Sequence, residues 1–280
     1  MDKIIDAVRN YLACPHCHGQ LKVEHNKILC QSCDFVGQIA DGVVTTMEYS
    51  QPSYFDQSFE LLHEDKKNTK FWQLSRMRQG NMLTPFLKPG VVVLDVGCGR
   101  SLQYQKPSNC FVIGLDPSFR SIRANVNVDL RVFGTALVLP VPTDSVDVIV
   151  CFYSVHHMVG DSSNETRQNV SKAFEEFARV LKPEGDLFIF EVSPWFIGKV
   201  LQKALWGLAH RVLNRKLEMF LWPSKVLKDI GGKTMPKATL KYNTFPVPMF
   251  TLLPPFLALP WLQVPRLLIP VDLMLYHWHM

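Results

Sequence analysis

The stretch Val91-Val92-Val93-Leu94-Asp95-Val96-Gly97-Cys98-Gly99 constrains this chain more than any other. Four apolar residues lead into an acid, and two glycines follow at alternate positions. A continuous apolar run ended by a glycine turn reads as a strand buried on both faces, as in a parallel sheet. The turn after such a strand lies at its carboxyl end, where open α/β sheets bind ligands. Gly97 and Gly99 let the backbone approach a ligand more closely than a Cβ would allow. Asp95 supplies one fixed negative charge beside them. A second apolar run, Phe111-Val112-Ile113-Gly114-Leu115, ends in Asp116. An acid there can accept hydrogen bonds from the hydroxyls of a ribose. The pattern predicts an α/β fold with a Rossmann-like sheet and a nucleotide-type ligand at the turn.

These segments stand as LDVGCGRS and GLDPS. They resemble the first motifs of class I S-adenosylmethionine (SAM)-dependent methyltransferases, commonly LDVGCGTG and GVDxS, with Ser101 in place of the third glycine. An NAD-type turn is the alternative; the acid before the first glycine and the single intervening Cys are methyltransferase features. Further on, GTALVLPVPTDSVDVIV (134–150) is similar to that family's GDAxxLPFPDxSFDLV, and FARVLKPEGDLFIFE (177–191) to its RVLKPGGxLxIxE. The second of these segments, Glu191 included, reads as architectural, a turn and a strand.

The resemblance implies a SAM site built from Asp95, Gly97, Cys98, Gly99, Asp116, Pro117, Thr135, Ala136, Leu137, Phe152 and Tyr153. One departure stands out. The acid that usually accepts from the adenine amino group is here Thr135. Either its Oγ takes that role, or backbone and apolar contacts hold the adenine. In the family, residues after the fourth strand line the acceptor pocket; here they read Tyr153-Ser154-Val155-His156-His157-Met158. An imidazole can take a proton from a hydroxyl acceptor near neutral pH. His156 and His157 are therefore candidate catalytic bases, not distinguished by sequence. Their alternative role is to cap the next helix and pack on the cofactor.

Near the N-terminus, Cys14-Pro15-His16-Cys17 and Cys30-Gln31-Ser32-Cys33 form a C-x2-C-x12-C-x2-C pattern. Each CxxC places two thiolates on one tight turn, and two facing turns complete a closed tetrahedral site. Cys14, Cys17, Cys30 and Cys33 are thus expected to hold a structural Zn2+. Two disulfides are the alternative, which a reducing compartment disfavours. His16 and His18 are spare ligand candidates. Residues 20–24 and 27–29 read as a hairpin between the knuckles, turning at Asn26. The stretch from Tyr11 to Val44 resembles the zinc-ribbon family of small methyltransferase-activating proteins, whose pattern is LxCPxC, LxCxxC, IxDGIP.

Four regions follow: a ribbon over 1–48, a linker and pre-motif helices over 49–84, a SAM-binding core over 85–192, and an acceptor-side lid and C-terminal extension over 193–280. A tyrosine and a phenylalanine in the linker, Tyr54 and Phe55, resemble the family's pre-motif segment, which closes over the methionine end of SAM; the alternative is an ordinary surface helix packed by Tyr54, Phe55 and Phe59. The first crossover, residues 100–110, is short and contains Lys106-Pro107, which leaves room for about two helical turns. An apolar fraction of 47% excludes long disorder. The start, Met1-Asp2-Lys3-Ile4-Ile5-Asp6, lacks the pattern of a secretion signal. The chain is expected to be cytoplasmic, with the inner face of a membrane as a place of peripheral contact.

Charge is unevenly spread. Residues 1–48 hold four basic and six acidic residues, whereas 193–280 hold eleven and three. A basic amphipathic helix over 195–216, with Trp195, Phe196, Val200 and Leu201, reads as a lid or a membrane-interface helix. Residues 249–275 are strongly apolar, but five prolines argue against a spanning helix. A mostly helical extension is expected here. Together these features point to a SAM-dependent methyltransferase with a small-molecule or lipid-like acceptor. An RNA acceptor is the alternative, disfavoured by the acidic ribbon. A non-catalytic binding module is the third reading, and the intact Asp95, Gly97, Gly99 and Asp116 weigh against it.

Overall fold

The structure is a computed structural model, and the residues described are 2–48, 56, 69–196, 198–200, 202, 219–245, 250–252, 263–265 and 271–280. The N-terminal helix α1 (Asp2–Tyr11) buries Ala7 and Val8. At its end Tyr11 stacks on Phe111 with ring centroids 4.0 Å apart. Two short hairpins follow: β1 (Leu21–Glu24) with β2 (Lys27–Cys30), and β3 (Val36–Ala40) with β4 (Val43–Thr45). In the first turn it is His25, beside Asn26, that takes the positive φ. In the second, Asp41 and Gly42 both have positive φ, as a two-residue type I′ turn requires.

The hairpins join a larger sheet. β5 (Val92–Val96), β6 (Phe111–Asp116), β7 (Leu130–Phe133) and β8 (Val146–Phe152) are parallel neighbours in the order β7-β6-β5-β8. β9 (Leu181–Pro194) pairs parallel with β8. Connections run through α3 (Phe119–Ala124) and α4 (Ser163–Val180), while α2 (Thr69–Asn81) precedes β5. Ser118 and Ser162 cap α3 and α4 through their side-chain oxygens. Strands β5, β6 and β8 are almost wholly buried, which explains why they read as unbroken apolar runs. The strand order reverses between β5 and β8, so the crevice at their carboxyl ends is the expected ligand position.

On the ribbon side, β4 pairs parallel with β7, with Val44 opposite Val132 and Thr45 opposite Phe133. Thr46 donates from both N and Oγ1 to the Phe133 carbonyl, at 3.0 and 3.1 Å. The ribbon and the parallel strands therefore share one eleven-stranded sheet, and the ribbon covers what would be an open edge at β7.

The opposite end differs from the mostly helical extension expected over 193–280. Beyond the helical residues around 196–202, the described residues supply one helix, α5 (Ser224–Thr234). They also supply four strands: β10 (Thr239–Phe245), β11 (Phe250–Leu252), β12 (Gln263–Pro265) and β13 (Val271–His279). β13 runs antiparallel between β9 and β10 and buries Leu273, Met274, Leu275, Tyr276 and Trp278. β11 and β12 form a separate two-stranded hairpin. The first crossover is also not helical: residues 97–110 are turns and bends leading into Pro107. Most of the linker, most of the 195–216 segment and most of 249–270 lie outside the described residues.

Candidate active site

The turn after β5 is shaped by two glycines of different kinds. Gly97 has φ +71°, and a Cβ there would sit 2.4 Å from the Ser154 Cβ. Ser154 in turn donates to the Val96 carbonyl at 2.9 Å, so the end of β8 is clamped onto the turn. Gly99 has φ +58°, and nothing lies within 4 Å of where its Cβ would be. The first glycine permits packing; the second faces open space in front of the sheet. Cys98 is turned inward, with its Sγ under Gly114. It can offer a ligand its backbone but not its thiol.

Asp116 closes the other side of the turn. Its Oδ2 accepts the Gly99 N–H and its Oδ1 the Ser118 N–H, both at 2.8 Å. Each oxygen keeps a second lone pair for an incoming hydroxyl. Burial pushes Asp116 up to about 6, against the pull of these two N–H bonds. Burial also pushes Asp95 up to about 7, the Tyr104 hydroxyl opposing and Asp116 adding to the rise. Pro117 is exposed between Asp116 and α3. The sequence reading missed Asp56, whose Oδ1 accepts from Ser118 Oγ at 2.6 Å and from the Arg120 N–H at 3.1 Å. Asp56 thus sits at the start of α3, and no local pattern marks it.

Thr135, Ala136 and Leu137 form a tight turn after β7. The Thr135 Oγ1 accepts the Leu137 N–H at 3.3 Å, as a short acid would. At the end of β8, Phe152 is buried and stacks on Phe190 at 4.1 Å. Tyr153 has φ +52°, an uncommon conformation for a tyrosine, and its hydroxyl hydrogen-bonds the buried Gln79 of α2.

The two histidines separate in the structure. They lie on a 3-10 turn, Val155–His157, with rings 4.1 Å apart. His156 is buried, and its Nδ1 lies 2.5 Å from Oε1 of Glu191. Oε2 of the same carboxylate accepts the His156 backbone N–H at 3.0 Å. Glu191, on β9, is fully buried. The Phe220 N–H donates to the His156 carbonyl at 2.7 Å, which ties residues 219–223 to the same corner. His157 is half-buried beside it.

In the ribbon, the sulfurs of Cys14, Cys17, Cys30 and Cys33 lie within 4.8 Å of one another. The Cys14–Cys33 and Cys17–Cys30 pairs are 3.5 and 3.4 Å apart. Four thiolates about 2.3 Å from a zinc ion have mutual separations of roughly 3.8 Å, so the donor set fits a closed tetrahedral site. The His16 and Ser32 N–H groups point at the Cys14 and Cys30 sulfurs, which stabilises thiolate ligands. His16 and His18 lie outside this cluster.

The methyltransferase domain family matches residues 94–189, which span β5 to β9 and include the turn, Asp116 and His156. Residues 94–189 are a methyltransferase domain. The chain is 34% identical over 104 residues to a tRNA (carboxymethyluridine(34)-5-O)-methyltransferase of Arabidopsis thaliana, covering 37% of this chain and 24% of that protein. It is 28% identical over 201 residues to an uncharacterised protein of Methanocaldococcus jannaschii, covering 68% and 69%. The chain thus spans about a quarter of the plant relative's length. Its fold is similar to a chain of the Haloferax volcanii complex between the Trm112 methyltransferase activator and a proposed methyltransferase. There the TM-score is 0.54 at 16% identity, covering 81% of this chain and 98% of that one. Among the described residues no helix is long and apolar enough to cross a membrane.

Proposed function

We propose that this protein transfers a methyl group from SAM to a small-molecule or lipid-like acceptor. The observation that carries the reading is the paired geometry of Gly99 and Asp116. An open glycine faces the crevice beside a buried carboxylate whose oxygens keep free lone pairs. In this reading Asp116 takes the ribose hydroxyls, the Gly97–Gly99 backbone carries the amino-acid end, and Asp95 supports the turn. Thr135, Ala136, Leu137 and Pro117 border the adenine, and Phe152 and Tyr153 floor the crevice. SAM supplies an activated methyl, so the protein's task is to align and deprotonate the acceptor. His156 is the base of the pair. The ribbon's four cysteines hold Zn2+ as a brace for the sheet edge.

The small or lipid-like acceptor is supported by exposed apolar side chains near the carboxyl ends of the strands. Leu74 and Met77 lie on α2, which Gln79 ties to Tyr153, and Trp195, Phe196 and Val200 follow β9. A second reading, an RNA acceptor, is supported by the tRNA methyltransferase among the relatives. The deciding experiment incubates the full chain with methyl-labelled SAM and, separately, total lipid extract, small-molecule extract and total RNA. Label in the lipid or small-molecule fraction is expected. Label in RNA alone overturns the acceptor assignment.

A further inference from the structure

We infer that Glu191 is a positioning residue that fixes His156 in one tautomer, and that the acceptor reacts through a hydroxyl. This deepens the proposed function and rests on it. Glu191 Oε1 faces His156 Nδ1 at 2.5 Å and accepts the Val192 N–H at 2.8 Å, while Oε2 accepts the His156 N–H at 3.0 Å. An ionised carboxylate only accepts, so the proton shared with the ring belongs on Nδ1. Nε2 then keeps its lone pair, free to accept a proton from an incoming group.

The environment reinforces this. Glu191 is 0% exposed and His156 5%, so water cannot reorganise the pair. A second proton arriving on Nε2 makes an imidazolium against a carboxylate rather than a lone buried cation. The carboxylate satisfies the buried ring and backbone N–H groups of His156 together, so the ring is held in one orientation as well as one tautomer. The chain also brings Glu191 from β9 and His156 from the turn after β8, where Ser154 meets Gly97.

A poised base selects the acceptor's chemistry. A carboxylate, a thioether or a tertiary amine attacks without losing a proton. A neutral hydroxyl must lose one. In the step, the acceptor O–H proton moves to Nε2, and an oxygen lone pair forms the new O–CH3 bond. The S–CH3 bond breaks with its electron pair returning to sulfur. The imidazolium later releases its proton to solvent.

The test is 15N–1H NMR of the imidazole rings in the full chain, with His156→Gln to assign the signals. The expected result is a proton on Nδ1 and none on Nε2 at pH 8. In Glu191→Gln the new amide can donate to Nδ1, and the ring proton is expected to move to Nε2, removing the base. Methyl transfer to the labelled fraction then falls about 10²–10⁴-fold, with SAM affinity within about threefold of wild type. The methylated product is expected to resist mild alkali. A wild-type proton on Nε2, an unchanged rate in Glu191→Gln, or label released by mild alkali as from an ester overturns the inference. The wild-type tautomer is readable even if Glu191→Gln does not fold. If the wild-type chain binds no SAM, the underlying functional reading fails instead.

Discussion

The Oδ2 atom of Asp116 accepts the backbone N–H of Gly99 at 2.8 Å, and this bond joins the ends of β6 and β5 into one concave surface. The carboxylate organises the turn before any ligand arrives, so its loss acts on binding and on local structure together. SAM affinity is expected to fall as pH drops through about 6, where burial has placed the Asp116 carboxyl. Protonation there removes an acceptor that ribose hydroxyls need. Isothermal titration between pH 5.5 and 8 checks this, and Asp116→Asn should bind weakly with a flatter pH profile.

Gly97 and Gly99 should respond differently to the same substitution. Gly97→Ala drives a Cβ to 2.4 Å from Ser154 at positive φ. A loss of roughly 3 kcal/mol of stability is expected from the clash and the backbone strain. Gly99→Ala meets no protein atom, so only the positive φ matters, about 1 kcal/mol. Its methyl instead projects into the crevice, and SAM affinity is expected to drop at least about tenfold. Thermal melts and SAM titrations on both variants separate the two effects.

Asp95 makes a prediction about stability. Its folded-state pKa, about 7, is raised above the usual carboxylate range by burial. The native state therefore holds this proton more tightly than the unfolded chain. The corresponding stability is present at low pH and is lost as pH rises through about 7. Asp95→Asn should melt higher than wild type at pH 8, with the gap closing toward pH 5. A gap that is constant with pH contradicts the assignment.

Removing the ribbon's ligand set should be felt across the sheet. Because β4 pairs with β7, a ribbon without metal leaves the β7 edge unpaired. With zinc at the four cysteines as proposed, Cys17→Ser is expected to lose the metal and to lower the melting temperature of the whole chain in a single transition. Metal analysis and calorimetry test this; two separate transitions would show the ribbon to be independent of the sheet.

Much of this site could be read from local pattern. The LDVGCG and GLD segments declare buried strands that end in a glycine turn and an acid, and LKPEG marks the start of β9, although the strand already begins at Leu181 rather than after the glycine. Thr135 is similar. It stands where an acid is usual, yet its Oγ1 already makes the turn bond an acid would make. Thr135→Asp should therefore not weaken SAM binding, and a large rise in Kd would count against the alignment.

Other features depend on contacts between distant residues. Asp56 meets Ser118 across 62 positions, and Glu191 meets His156 across 35, so neither partner betrays the other in the sequence. Glu191 reads as an ordinary strand-ending acid until the fold sets it under the histidine. β13 escaped because a strand buried on both faces shows no alternation, and it follows a proline-rich apolar stretch that hides where it begins. The parallel join of β4 to β7 rests on backbone hydrogen bonds, which carry no side-chain signature at all.

The central claim is that the crevice bounded by Gly97, Gly99 and Asp116 is a SAM site. Calorimetric titration of the full chain with SAM, repeated on Asp116→Ala, tests it most directly. The account predicts one saturable site in the wild type and an affinity at least about thirtyfold weaker in the variant. No binding by the folded wild-type chain, or equal binding by both proteins, would contradict it.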